Sequence, residues 1–203
     1  MKVLLTAFDA FGGEPINPAA EALQWVSATI DGIEVITLEV PTVFNGSVEV
    51  VMRAIRRVQP NVVLCIGQAG GRSDISVERV AINLDDASIA DNAGNQPTDT
   101  TIAPDGPAAI FATIPVKKLV QAIRERGIPA SVSNSAGTFV CNHLFYGVLH
   151  RCAKEFPDIK VGFIHIPFLP AQVITRLVTP SMALDLMVQG LEAAIGALAQ
   201  GES

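Results

Sequence analysis

The chain has 203 residues, a formal net charge of −6, 49% hydrophobic residues and 17% charged ones. This length suits one α/β domain, read over 1–203, and the acidic balance argues against nucleic acid as a partner, since phosphate backbones are bound by clustered Lys and Arg. Mean hydropathy is high at +0.40, yet apolar runs break within about ten residues at Asp, Pro or Gly, short of the ~20 that span a bilayer, so no membrane partner is expected.

Met1–Asp9 carries one early lysine, but its apolar stretch is too short for a secretory signal, and the expected compartment is the cytoplasm. A first strand is expected at Val3–Ala7, followed by the glycine turn Phe8-Asp-Ala-Phe-Gly-Gly13. A helix over Pro18–Thr29 opens with proline in its first turn. Strand Glu34–Val40, helix Ser47–Val58 stopped by Pro60, and strand Val62–Gly67 come next. A second glycine turn, Gly67-Gln-Ala-Gly-Gly-Arg72, leads to a strand at Ser76–Ala81. Between Asn83 and Pro107, Asp, Asn, Gly and Pro crowd a segment without periodicity, the mark of a long functional or mobile loop. Helix Val116–Arg126 ends at Gly127-Ile-Pro129. Strand Ala130–Ser133, helix Val140–Glu155, strand Val161–Ile166 and helix Pro180–Leu198 complete the chain. Short β-branched runs alternating with helical periods indicate an α/β fold, a largely parallel twisted sheet covered on both faces.

Cys141 enters a helix after a glycine-marked loop. Free N–H groups and the helix dipole at such a start favour a thiolate and can bring its pKa into the physiological range, which makes Cys141 a candidate nucleophile. An inert core cysteine is the other reading. The three cysteines, Cys65, Cys141 and Cys152, form an odd set without metal-ligand spacing, which fits a reducing compartment and argues against zinc.

A thiol nucleophile needs a base, and the chain has three histidines. His143 and His150 share the helix of Cys141 at offsets of two and nine residues, neither of them a helical neighbour. His165 lies at a strand exit, at the sheet edge where the loop before Cys141 is expected to emerge, so it is the candidate base or else a core histidine. Glu78 sits in an apolar, strand-like run where an unpaired charge is costly. It is the candidate orienting acid, or a residue of an edge strand, or one half of a salt bridge to a neighbouring arginine. Phe8 and Phe11 on a glycine-rich turn suit the walls of a small apolar pocket, or plain core packing. Neither glycine turn has a phosphate-loop lysine or dinucleotide spacing.

Together, Phe8-Asp-Ala-Phe-Gly-Gly-Glu-Pro-Ile-Asn-Pro18, Gly67–Arg72, Glu78-Arg-Val-Ala-Ile-Asn83, Asp91-Asn-Ala-Gly-Asn-Gln-Pro97, Ser133–His143 and Phe163-Ile-His-Ile-Pro167 resemble the type I pyroglutamyl peptidases. These cysteine peptidases remove N-terminal 5-oxoproline through an acyl-enzyme and use no cofactor. The resemblance implies an α/β/α sandwich, Glu78, Cys141 and His165 as catalytic residues, and pocket roles for Phe8, Phe11, Asn17, Gln68, Phe139 and Val140. It also implies N-terminally pyroglutamylated peptides as substrates and a homotetramer. Two positions depart from it: Ser88 stands where members usually carry arginine, and Ala10 where they usually carry proline. Activity is expected to survive both. The competing readings are a phosphate-dependent transferase of the nucleoside phosphorylase type and a binding protein whose site has decayed at Ser88.

Overall fold

The computed structural model describes residues 1–199, which run β1 Lys2–Phe8, α1 Pro18–Leu23, β2 Thr29–Ile30, β3 Ile33–Val40, α2 Gly46–Val58, β4 Val62–Gln68, β5 Ile75–Glu78 and β6 Val80–Ile82. The order continues with β7 Ala109–Phe111, α3 Val116–Glu125, β8 Ala130–Ser133, α4 Val140–Glu155, β9 Lys160–Ile166 and α5 Leu184–Ala199. Seven strands form one sheet in the order β2-β3-β1-β4-β9-β5-β8, and β6 pairs with β7 separately. The central pairs β3/β1, β1/β4 and β4/β9 are parallel, whereas β5 runs antiparallel to β9 and β2 antiparallel to β3.

Two apolar layers sandwich the sheet. On one face, Ala19 and Ala22 of α1, Leu119 and Ile123 of α3, and Leu191 and Ile195 of α5 pack against Leu5, Leu64 and Ile164. On the other, Val51 and Ile55 of α2 and Leu144, Phe145 and Val148 of α4 cover Leu4, Val63 and Phe163. Alternate residues of each strand serve opposite faces, as the pleat requires. The expected α/β/α architecture is therefore present.

Four local expectations change. The first helix ends at Leu23 rather than Thr29, because Asp31 (φ 49°) and Gly32 (φ 78°) form a two-residue hairpin turn that draws Thr29–Ile30 into β2. The run expected as one strand over Ser76–Ala81 breaks at Arg79, whose N–H donates to the Ser133 carbonyl and whose own carbonyl accepts from Ala112, so β5 and β6 join different sheets. The last helix begins at Leu184, since Ser181 bridges to Phe168 and the Met182 N–H donates to the Phe168 carbonyl. The strand over Ala109–Phe111 had no counterpart in the sequence reading.

The aperiodic segment after Asn83 is held along α4. Asn142, fully buried, accepts from the Ile82 N–H (2.9 Å) and donates to the Ile82 (2.9 Å) and Leu84 (3.0 Å) carbonyls. His143 bonds Asp85 at 2.7 Å, and the Tyr146 hydroxyl donates to the Pro107 carbonyl at 2.7 Å. Farther along the loop, Asp91 accepts from the Phe44, Ala93 and Asn95 N–H groups, and Asn92 reaches the Ala10 carbonyl. Polar side chains on a buried helix thus satisfy loop backbone that would otherwise be stranded.

Asn142→Ala should lower unfolding stability by about 3 kcal/mol in urea titration, because it leaves one N–H and two carbonyls without their partner.

Candidate active site

Glu78, His165 and Gly67 lie close together at the strand ends of β5, β9 and β4. Gly67 is the register partner of His165, and Ser76 faces His165 from the other side, which puts Glu78, two residues on, diagonally beside it on the same face. Glu78 Oε1 and His165 Nδ1 are 2.7 Å apart. An ionised carboxylate can only accept, so Nδ1 carries the proton of the neutral ring and Nε2 is its basic atom. Phe163, two residues before His165 on β9, packs its ring 4.8 Å from the imidazole.

Cys141 stands in the first turn of α4, with Phe139 as the helix cap. A Cβ built on Gly67 would lie 2.8 Å from Cys141 Sγ and 2.9 Å from Phe163 Cζ. The sulfur therefore occupies the space that a side chain at position 67 would take, one strand (~4.8 Å) from His165 and on the same face. The route to this place differs from the sequence reading. β8 is parallel to β5 and so opposed to β9, and Ser133 ends level with Glu78 and Phe163 rather than at the exit of His165. Residues 134–139 turn back, with Gly137 at φ 78°, to bring Cys141 over β4.

The electrostatics also differ from expectation. Cys141 is half-buried with its sulfur turned inward, and burial, then the Glu78 carboxylate, then Cys65 push the thiol up to about 12. Removal of the sulfur from water is the leading cause. Burial likewise holds the His165 imidazole below its ordinary value, against the pull of Glu78. Burial alone would raise the Glu78 carboxyl, but His165, Ser133 and Arg72 together keep it below the usual range. The resting pair is a neutral thiol beside a neutral imidazole.

Arg72 is the residue that sequence reasoning passed over. Its Nη1 donates to Glu78 Oε1 at 2.7 Å and its Nη2 to the Ser135 carbonyl at 3.0 Å, tying the carboxylate to the loop before Cys141. Glu78 thus has both partners once posed as alternatives, an arginine and a histidine. The signal was available: a lone arginine closing a glycine turn, six positions before a strand carboxylate.

The other predicted residues fall into two groups. Phe11 and Phe139 are half-buried with ring centroids 6.0 Å apart, and Phe44 meets Phe139 edge-on at 5.5 Å. Gln68 is half-buried and accepts from Gln172 at 2.9 Å. Phe8, Asn17 and Val140 are buried. Phe8 packs on Phe163, and Asn17 caps α1 by accepting from Ala19 while donating to the Asp9 carbonyl. Ser88 is exposed, and beside it Asp86 and Thr138 exchange two bonds (2.9 and 2.7 Å) that tie this loop to the one preceding Cys141. His143 accepts from the Asn45 N–H through Nε2, so its Nδ1–H donates to Asp85, and it is a structural histidine. His150 stacks on Tyr146. No cluster of metal-ligating side chains occurs among the described residues.

Gly67→Ala should push the Cys141 sulfur from its seat, slowing alkylation by iodoacetamide by at least about tenfold while the protein remains folded by circular dichroism. Alkylation of the unaltered protein should accelerate steadily from about pH 7 to about pH 9, as the neutral thiol ionises, without a plateau below about pH 6. In Arg72→Met the imidazole of His165, followed by NMR, should titrate at higher pH, because the guanidinium charge that disfavours imidazolium is gone.

Comparison with known proteins gives matches over nearly the whole chain. A family model described as pyroglutamyl peptidase matches residues 1–201. A pyrrolidone-carboxylate peptidase of Thermoanaerobacter sp. is 57% identical over 98% of both chains. The crystal structure of pyroglutamyl peptidase I from Bacillus amyloliquefaciens superimposes with a TM-score of 0.95 at 47% identity, covering 98% of this chain and 94% of that one. A mutant pyrrolidone carboxyl peptidase from Pyrococcus furiosus gives 0.93 at 38% identity, covering 98% of each. With a matching model over nearly its whole length and relatives above half identity, the chain belongs to the pyroglutamyl peptidase family, cysteine hydrolases that remove N-terminal pyroglutamate.

Proposed function

We propose that Cys141, His165 and Glu78 carry out hydrolysis of the amide bond that follows an N-terminal pyroglutamyl residue. The observation that carries this reading is the 2.7 Å contact of Glu78 with His165 Nδ1, beside a sulfur seated on glycine. As Sγ bonds to the scissile carbonyl carbon, the thiol proton passes to His165 Nε2, and the imidazolium formed is stabilised by Glu78. The carbonyl oxygen takes up negative charge, with the Cys141 N–H in the first turn of α4 as its donor. Collapse breaks the C–N bond, and the amine leaves with the proton from Nε2. Water then attacks the acyl-enzyme while Nε2 takes its proton, releasing 5-oxoproline and restoring the thiol.

A pyroglutamyl group has no α-ammonium, so the uncharged set Phe8, Phe11, Asn17, Gln68, Phe139 and Val140 suits it as a pocket. Phe11 and Phe139 are the walls, and Phe139 packs against the buried cluster that holds Phe8 and Val140. The missing arginine at Ser88 removes a side chain, but the paired Asp86–Thr138 bonds keep local order without it. The reading therefore retains activity. A nucleoside phosphorylase chemistry loses its ground with the family assignment.

The domain is taken to extend over 1–203, the compartment to be the reducing cytoplasm, and the assembly to be a homotetramer. Ile174, Leu177 and Val178, exposed at 83%, 93% and 104%, give one segment an apolar surface suited to a second copy. None of the described helices is long and apolar enough to cross a membrane.

Cys141→Ser and His165→Ala should each lower cleavage of a chromogenic pyroglutamyl amide by roughly a thousandfold or more, whereas Cys65→Ser and Cys152→Ser should keep turnover. Full activity in Cys141→Ser rejects the assignment. Light scattering of the purified protein should give four times the chain mass, and Leu177→Asp should reduce it.

A further inference from the structure

The buried amide of Gln172 links three parts of the site region that are far apart in sequence. Gln172 is 9% exposed and lies in a short 3-10 turn, Pro170–Gln172, after β9. Its Oε1 accepts from the Leu169 N–H at 2.9 Å. Its Nε2 donates to Gln68 Oε1 at 2.9 Å and to Glu14 Oε2 at 3.3 Å. The orientation of this amide is not open: a backbone N–H can only donate and an ionised carboxylate can only accept. Two fixed partners therefore decide which end of Gln172 is nitrogen. The consequence passes to Gln68, whose oxygen must face the Gln172 nitrogen, so its own NH2 is left for other partners.

The same carboxylate anchors the segment beyond the turn. Arg176 Nη2 bonds Glu14 Oε1, and the guanidinium lies 5.0 Å over the Phe168 ring. Arg176 and Gln172 together keep the Glu14 carboxyl below its usual range, so it stays ionised at neutral pH. Glu14 directly follows the glycine turn that bears Phe11, and its N–H donates to the Phe11 carbonyl at 3.1 Å. One network thus holds the Phe11 turn and orients Gln68.

We propose that Gln172 is a positioning residue for recognition of the substrate ring: it polarises Gln68 so that an N–H donor, rather than an oxygen, is offered to the lactam carbonyl. This rests on the reading of Gln68 as a pocket residue. The lactam carbonyl is what separates a pyroglutamyl ring from a prolyl ring, which has a methylene there and a charged nitrogen. A site with a fixed donor discriminates through it.

The test compares Gln172→Met and Gln68→Glu with the unaltered enzyme on a pyroglutamyl amide, together with the rate at which iodoacetamide alkylates Cys141. The glutamate keeps the bond from Gln172 but has no N–H to give. Both variants should raise KM about tenfold, the factor one hydrogen bond carries, with kcat and alkylation rate within about twofold. A wild-type KM in Gln172→Met overturns the proposal, as does a fall in kcat matched by slower alkylation, the pattern of general damage to the site. If Gln172→Met does not fold, Gln68→Glu decides: a raised KM upholds the donor and an unchanged one overturns it. Full activity in Cys141→Ser would instead reject the underlying site assignment, so the two failures are distinguishable.

Discussion

A carboxylate taken completely out of water at Glu78 governs the arrangement of this site. The effective penalty for such a burial is several kcal/mol, so the charge persists only with partners of matched geometry. Two of them share one oxygen: Arg72 and His165 both meet Oε1. Through Arg72 the charge reaches Ser135 and the loop that delivers Cys141, and through His165 it reaches β9. Oε2 has no hydrogen-bond partner, and the nearby Ser133 hydroxyl donates to the Ser135 carbonyl instead. The carboxylate favours an imidazolium on His165, and the Arg72 charge opposes it. The carboxylate also adds to burial, the larger cause, in disfavouring a thiolate on Cys141.

Packing supplies the second requirement. A thiol can rest on the sheet only where the strand has no side chain, and Gly67 provides that gap between Ile66 and Gln68 of β4. The helix that carries the thiol then uses its buried polar residues as fasteners. Asn142 and His143, immediately after Cys141, hold Ile82, Leu84 and Asp85, and Asn45 donates to His143 from the opposite side. The aromatic group Phe11, Phe139 and Phe44 is fixed by the same neighbours, since Phe44 packs edge-on against His143. A loop that lacks regular structure becomes ordered because a helix satisfies its backbone.

The chain after β9 presents two kinds of side chain. Gln172 and Arg176 both bond Glu14, while Ile174, Leu177 and Val178 between and beyond them face solvent. The polar side chains tie this segment to the Phe11 turn, while the apolar ones leave it an exposed apolar surface.

Much of this was legible in the sequence. The span Val140–Glu155 of α4 follows from its flanking glycine loop and apolar period, and the residue types at 78, 141 and 165 suggested their chemistry. These are local properties, written within a turn or a strand of chain. The hairpin at Asp31-Gly32 is equally local, an Asp-Gly pair just past the helix that Pro18 opens. What the sequence by itself could not decide was direction and partnership. That β5 opposes β9 reverses the edge at which β8 ends, and no periodicity records it, because a strand's side-chain alternation is the same whichever way it runs. That Gln172 meets Gln68 across a separation of 104 residues depends on sheet order bringing two strand exits together. The acidity of Cys141 belongs here too: the helix start is in the sequence, but the burial that raises the thiol exists only once the sheet lies beneath the sulfur.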